Sequence, residues 1–250
     1  MGTENRMKPI KNKSLSEQVY DSLVEYISGM EPGNTKLPSE EDLGAQLGVS
    51  RATIREALKR LLMNRLTTTI HGNGTFAHPA VLNVPNRLDI NGDFKTMLES
   101  RYKEVEVKED WSQETSLSAF FLSQVSERKP GDIQSRWLYQ GDGNNCLYCR
   151  YYFREEYIAR PPKQGKEAER FSSLPRFSSK CMNTTIDYCV MKSRIIVDPE
   201  AARAFGLAEI TPLHCWQEQI YDVQDHVVGY GEVFVHPENM ELYLVTQLVV

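Results

Sequence analysis

The chain has 250 residues, 40% hydrophobic and 25% charged, a balance that allows a buried core in each of two domains. No apolar run reaches the ~20 residues a membrane-spanning helix needs, and the polar stretch Met1 to Lys13 lacks a signal peptide's apolar centre, so a cytoplasmic protein without a membrane partner is expected. The net charge of −5 hides an asymmetry: residues 1–78 hold ten Lys/Arg against nine Asp/Glu, and the remainder nineteen against twenty-five.

Ser14 with Glu17 reads as a capping box, opening a helix whose apolar positions Leu15, Val19, Leu23 and Ile27 recur every four residues as far as Gly29. After Leu37-Pro38, Ser39 caps a short second helix that carries Leu43 and Leu47 and stops at Gly48. Ser50 caps a third, with Ile54, Leu58, Leu61 and Leu62 on its apolar side. Two short helices joined by a glycine turn make a helix-turn-helix. Thr67 to Ile70 and Thr75 to Ala77 then flank His71-Gly72-Asn73-Gly74, a hairpin with glycines where positive φ is cheap, and so a wing.

Arg51, Arg55, Lys59 and Arg60 lie within ten residues, with Glu56 alone opposing them. The first residues of a recognition helix reach base edges in the major groove, and arginine is able to read guanine through O6 and N7. Arg51 and Arg55, one turn apart, fit that role, and Thr53 suits a phosphate or a thymine methyl. The plainer alternative is a solvated basic face on a helical bundle. The order of cap, turn, basic cluster and wing argues against it.

The run Leu37-Pro38-Ser39-Glu40, Leu43, Leu47-Gly48-Val49-Ser50-Arg51, Thr53-Ile54-Arg55, Ala57-Leu58 and Gly72-Asn73-Gly74-Thr75-Phe76 resembles the DNA-binding domain of the GntR family over about residues 14–78. The resemblance implies operator contacts from Ser39, Ser50, Arg51, Thr53, Arg55, His71 and Gly72. There are two departures. Glu41 stands where the family often has an arginine for a phosphate, which implies lower affinity. Asn64-Arg65 replaces a usual glycine, which asparagine tolerates in the left-handed region.

Residues 79–93 contain Pro79, Pro85, Asn83, Asn86 and Asn91 without a helical period, and are expected to be an extended linker between domains at 1–78 and 94–250. Beyond it, Val105 and Val107 alternate with charges, Glu114 to Gln124 reads as a helix, and strands at 133–139 and 146–153 flank Gly141-Asp142-Gly143-Asn144. The order returns: Asp198-Pro199 caps a helix ending at Gly206, and strands at 213–221 and 227–235 follow. Two pseudo-repeated halves of one antiparallel sheet are predicted, with residues 159–170 as a mobile excursion between them. This layout, with Asp198-Pro199-Glu200-Ala201-Ala202, Gly206-Leu207 and Pro212-Leu213, resembles the chorismate-lyase-like, UTRA-type effector domain of one GntR subfamily. The expected fold class is therefore α+β, a winged helix-turn-helix followed by an antiparallel-sheet domain.

In that subfamily the ligand lies between the halves, which implies effector contacts from Arg136, Arg150, Tyr152, Thr184, Tyr230 and Glu232. Guanidinium forks match carboxylate or phosphate, so a small anionic metabolite is expected, with Glu232 taking a hydroxyl or amine. A solvated outer face for residues 148–154 stays open as an alternative. Cys146-x-x-Cys149 places its thiols on opposite sides of a strand with no second pair nearby, so packing is the reading and no metal or cofactor is expected. The five cysteines, odd in number and in apolar segments, suit buried thiols in a reducing compartment. No Ser-His-Asp order stands out, and a lyase-like enzyme would lack a second catalytic partner for Glu232. The reading is a non-enzymatic, effector-responsive DNA-binding regulator, in the sense of a repressor. With one recognition helix per chain, it is expected to work as a homodimer on paired half-sites.

Overall fold

Ser14 accepts a hydrogen bond from the Glu17 amide (3.2 Å) while Glu17 accepts one from the Ser14 amide (2.9 Å), and this reciprocal box starts α1 (Leu15–Ser28). Ser39 and Ser50 likewise accept from the Asp42 and Thr53 amides, starting α2 (Glu40–Leu47) and α3 (Arg51–Met63). Between them Gly48 turns at φ 67°, the left-handed conformation that glycine adopts without strain. Val19, Leu23 and Ile27 of α1 meet Leu43, Ile54 and Leu61 in one buried cluster, so the expected three-helix core is present. Leu62, expected on the apolar side, is partly exposed. The wing follows as β1 (Thr67–Ile70) and β2 (Gly74–Ala77), and the segment before α2 runs alongside it through Leu37 N–H to Thr75 O and Ala77 N–H to Thr35 O, both 2.8 Å. The left-handed residue after α3 is Arg65 (φ 59°) rather than Asn64 (φ −83°).

The computed structural model describes residues 13–89, 93–112, 117–125, 129–163, 171 and 173–246. The chain divides into two units, Met1–Ile90 with Tyr243–Val250, and Asn91–Leu242. This differs from the boundaries expected at 78 and 94, and it returns the C-terminal stretch to the first unit. Two features explain the difference. Pro79 pre-sets the first turn of a short helix, α4 (Pro79–Leu82), where an extended linker was expected. Further on, the buried Arg87 donates to the carbonyl of Asn64, the C-cap of α3 (2.9 Å), and pairs with Asp89. The C-terminal segment closes over this, through Leu88 N–H to Tyr243 O (3.0 Å) and Tyr243 N–H to Asn86 O (3.2 Å).

The second unit holds α5 (Phe94–Glu99), β3 (Val105–Ser112), α6 (Ala119–Gln124), β4 (Ile133–Gly141), β5 (Asn144–Phe153), α7 (Leu174–Cys181), β6 (Ile186–Val197), α8 (Pro199–Phe205), β7 (Pro212–Asp222) and β8 (Val227–Val235). The helix expected over 114–124 is described only from Ala119, and most of the excursion expected over 159–170 lies outside the described residues. The six strands form one antiparallel sheet in the order β3-β4-β5-β8-β7-β6. Each half contributes three strands, and the halves join where β5 pairs with β8, the pseudo-repeat expected from the sequence. One sheet face lies under α6 and α8, with Phe121 against Tyr152 and Tyr230, and Ala201, Ala202 and Phe205 against Tyr148 and Phe234. The other face carries an aromatic layer in which Trp111 stacks on Phe177 (4.6 Å) and Phe94 lies between Tyr139 and Trp216.

Within that second face sits one buried carboxylate, Glu218, opposite Gly231. A Cβ on Gly231 would lie 2.8 Å from Glu218 Oε2 and 2.9 Å from the Tyr151 ring, so glycine leaves the room this side chain occupies. Burial pushes the Glu218 carboxyl up from 4.5 to about 7. A group whose folded pKa is raised contributes stability that is fully present below 4.5 and lost as pH rises through about 7, a change of about 3 kcal/mol for this interval. Urea unfolding should accordingly give lower stability at pH 8 than at pH 5. Glu218→Gln should flatten that dependence, and an unchanged pH profile in the variant would refute the assignment.

Candidate functional site

Two sites emerge, one in each unit. In the first, α3 presents Arg51, Arg55 and Lys59 at four-residue spacing on its exposed side, opposite the buried Ile54, Ala57 and Leu61. Thr53 Oγ1 lies 2.9 Å from Ser50 Oγ, and Ser39 Oγ donates to Asp42 (2.6 Å), so both capping serines stand at the helix starts with their backbone amides. His71 and Gly72 lie exposed at the wing tip, Gly72 with φ 75°. Lys36, which the sequence reading passed over, lies against the wing, its Cε 3.1 Å from where a Cβ on Gly74 would be. Its place comes from the bridge Lys36 makes with Phe76, a long-range pairing without a local signal.

Arg51 and Arg55 are both engaged in ion pairs. Arg51 pairs with Glu41, and Arg55 forms two bonds to Glu40 (2.8 and 3.3 Å). The hydrogen bond from Arg55, set against slight burial and aided by its charge, holds the Glu40 carboxyl below the ordinary range.

In the second unit, Arg150 and Glu232 face each other across the β5–β8 junction. Arg150, 4% exposed, donates to Glu232 (2.8 Å), to Asp198 (2.7 Å) and to Glu200 (3.0 Å), and its guanidinium lies 5.0 Å from the Phe234 ring centre. Glu200 also accepts from Arg136 (2.6 Å) and the Tyr148 hydroxyl (2.7 Å). Burial acts to raise the Glu200 carboxyl, but the bonds from Tyr148 and Arg136 and the charge of Arg150 outweigh it and hold it at about 2. Asp198 additionally caps α8 through the Ala201 amide (2.8 Å).

Above this network lies a cavity of about 660 Å³ between α6, β6 and β7, with Glu232 and Asp198 on its wall. Ser118, Ser123 and Gln124 come from α6, Gln217 and Gln219 from β7, and Lys192 and Arg194 from β6. Neither Lys192 nor Arg194 forms an ion pair among the described residues.

The six residues expected to hold an effector are dispersed relative to this cavity. Glu232 alone of the six lines the cavity. The charges of Arg136 and Arg150 are taken up by Glu200, Asp198 and Glu232. The Tyr152 hydroxyl donates to the buried Asp132, and its ring packs on Phe121, so it braces α6. Thr184 donates to Asp222 (2.9 Å) beside the β7–β8 turn. Tyr230 packs in the same cluster as Tyr152, its hydroxyl reaching the Gln124 carbonyl at 3.4 Å. The solvated outer face considered for residues 148–154 is not found, since β5 is buried on both faces from Cys146 to Phe153. Cys146 and Cys149 are buried and free, as packing requires, while Cys189 is exposed on β6, contrary to expectation.

Residues 15–77 match the gntR family of bacterial regulatory proteins. The N-terminal domain belongs to the GntR family. The transcriptional regulator Mce2R of Mycobacterium tuberculosis is 32% identical over 108 residues, 39% of this chain and 45% of that protein. MngR of Escherichia coli, a mannosyl-D-glycerate transport and metabolism system repressor, is 37% identical over 67 residues, 26% of this chain and 28% of its own. The chain thus spans under half the length of these curated relatives. The possible transcriptional regulator YydK of Bacillus subtilis has the same fold, with a TM-score of 0.69 at 16% identity, covering 94% of this chain and all of that one. A GntR-type domain followed by a large antiparallel-sheet unit is the architecture of the protein.

The network around Arg150 predicts a sharp asymmetry. Arg150→Ala leaves three carboxylates converging without their cation, and should cost about 3–5 kcal/mol in urea unfolding. Glu200→Gln removes one of three acceptors and should cost much less. Equal losses would mean that Arg150 acts through packing rather than charge.

Proposed function

We propose that the chain is a sequence-specific DNA-binding transcription regulator, in the sense of a repressor, whose operator affinity is changed by a small anionic metabolite held in the α6–β6 cavity. The observation that carries this reading is one chain with two chemically distinct sites. One is an exposed Arg51, Arg55 and Lys59 stripe on a recognition helix of the GntR type. The other is a separate polar cavity with two uncompensated cations. MngR, similar over the DNA-binding region, is named a repressor, which supports that sense of regulation.

In this reading Arg51 and Arg55 read base edges, and Thr53, Ser39 and Ser50 meet phosphates beside their helix N-termini. His71, Gly72 and Lys36 bring the wing to the backbone or minor groove. Lys192 and Arg194 take the anionic group of the effector, and Glu232 a hydroxyl or amine. Arg136 and Arg150 act indirectly, by fixing the acids of the cavity floor.

A homodimer in the cytoplasm completes the proposal. One recognition helix buries too little DNA for tight specific binding. The outer strand β6 offers a surface for a second copy, since it is a sheet edge with Met191 and Ile195 exposed on the face opposite Lys192 and Arg194. Light scattering should find a dimer, and Ile195→Glu, at a residue 75% exposed, should shift it toward monomer.

The central test selects a duplex from a random pool with the wild-type protein and titrates it by gel shift. Arg51→Ala and Arg55→Ala should each weaken binding at least about fivefold, since a bidentate guanine contact is worth about 1–3 kcal/mol, with little change in melting temperature. A thermal-shift screen of small carboxylates and phosphates should find a stabilising ligand, and Lys192→Ala should abolish its effect. Wild-type affinity in both arginine variants would defeat the DNA reading. A ligand equally effective on Lys192→Ala would defeat the cavity assignment.

A further inference from the structure

The two arginines best placed to read DNA are held by acids from the helix in front of them. Glu41 pairs with Arg51, and Glu40 grips Arg55 with both oxygens. These are solvent-facing pairs: Arg51 is 60% exposed and Glu41 74%. The first turn of α2 carries three acids, Glu40, Glu41 and Asp42, on the helix that in a helix-turn-helix braces the DNA backbone. Acids near a helix N-terminus suit the helix itself, because they face its positive end. They do not suit a phosphate backbone. Helix stability accounts for acids in that turn, but not for the reach of Glu41 across the turn to Arg51.

We propose that Glu41 is a specificity-determining positioning residue, which occupies Arg51 in the free protein and must be displaced by DNA. The proposal rests on the DNA-binding reading above. An exposed pair of this kind is weak, so it is readily exchanged for a bidentate guanine contact. Exchange for a single phosphate contact, beside a carboxylate left facing the backbone, gains little. Glu41 therefore penalises random DNA more than the selected site, which is how a repulsive element raises discrimination.

The experiment is a double-mutant cycle on two probes, a random 30-base-pair duplex and the duplex enriched by the wild-type protein. Glu41→Gln should bind random DNA about fivefold more tightly, the equivalent of about 1 kcal/mol, with a smaller gain on the enriched duplex, so that discrimination falls. Its salt slope on random DNA should steepen by about one unit as Arg51 becomes free for a phosphate. In the Arg51→Ala background the same substitution should have much less effect. Glu41→Asp, too short to hold the pair but equal in charge, separates the pair from plain repulsion and should bind random DNA more tightly than the wild type but less tightly than Glu41→Gln. An equal gain in the Arg51→Ala background would reduce Glu41 to a repulsive charge and overturn the proposal, as would no gain at all. Enrichment of no duplex by the wild type would instead remove the DNA reading on which it depends.

Discussion

A single buried guanidinium organises the second unit. Arg150 is nearly inaccessible and lies on the strand pair that joins the two halves of the sheet, directly opposite Glu232. A cation there is tolerable because three carboxylates surround it, and the five donors of arginine in a fixed fork are able to serve several at once. Each acid has a second task. Asp198 caps α8, Glu200 gathers Arg136 and Tyr148, and Glu232 forms part of the cavity wall. A lysine would supply one ammonium point and leave part of this set unpaired. The junction of the halves, the start of α8 and the floor of the cavity are thus held by one charge.

The first unit depends on a different economy, that of caps and turns. Ser14, Ser39 and Ser50 satisfy amides at the start of each long helix, and Gly48 supplies the left-handed residue that sets α3 against α2. The core is small, so precision comes from termini rather than bulk. That same turn brings Glu40 and Glu41 of α2 within reach of Arg55 and Arg51. A helix-turn-helix geometry that aims arginines at DNA also aims them at whatever the preceding helix carries.

How much was legible in the sequence follows from how local each signal is. Capping serines, glycine stops and the His71-Gly72 wing tip are read within a few residues, and they appear where expected. The repeat of helix, strand, turn and strand was visible because Asp198, Gly206 and Gly141-Asp142-Gly143 punctuate it. The strand Ile186–Val197 went unnoticed because the runs Tyr188-Cys189-Val190-Met191 and Ile195-Ile196-Val197 show no period of two, and no sharp turn marks its start. With it went Lys192 and Arg194, the cavity's cations. The arginines that were chosen, Arg136 and Arg150, are real features of the sheet, but whether a buried cation is free or already paired depends on side chains 48 to 82 residues away. The same limit hid the return of Tyr243 to the first unit, a contact with residues some 155 positions earlier in the chain.

The position of β6 bears on how the proposed regulation would work. It is the last strand of the sheet, paired on one edge with β7 and open on the other. One face supplies Lys192 and Arg194 to the cavity, and Met191 and Ile195 on the other supply the proposed surface for a second copy. An effector is able to shift an equilibrium only by binding two arrangements unequally. An edge strand is held on one side only, whereas β5 and β8 are paired on both sides and pinned by Arg150 and Glu232. An anion drawn to Lys192 and Arg194 therefore acts on the wall that yields, against a floor that does not. In the proposed dimer that same wall is shared, so a shift in β6 at one cavity reaches the second copy without passing through the rigid centre of the sheet.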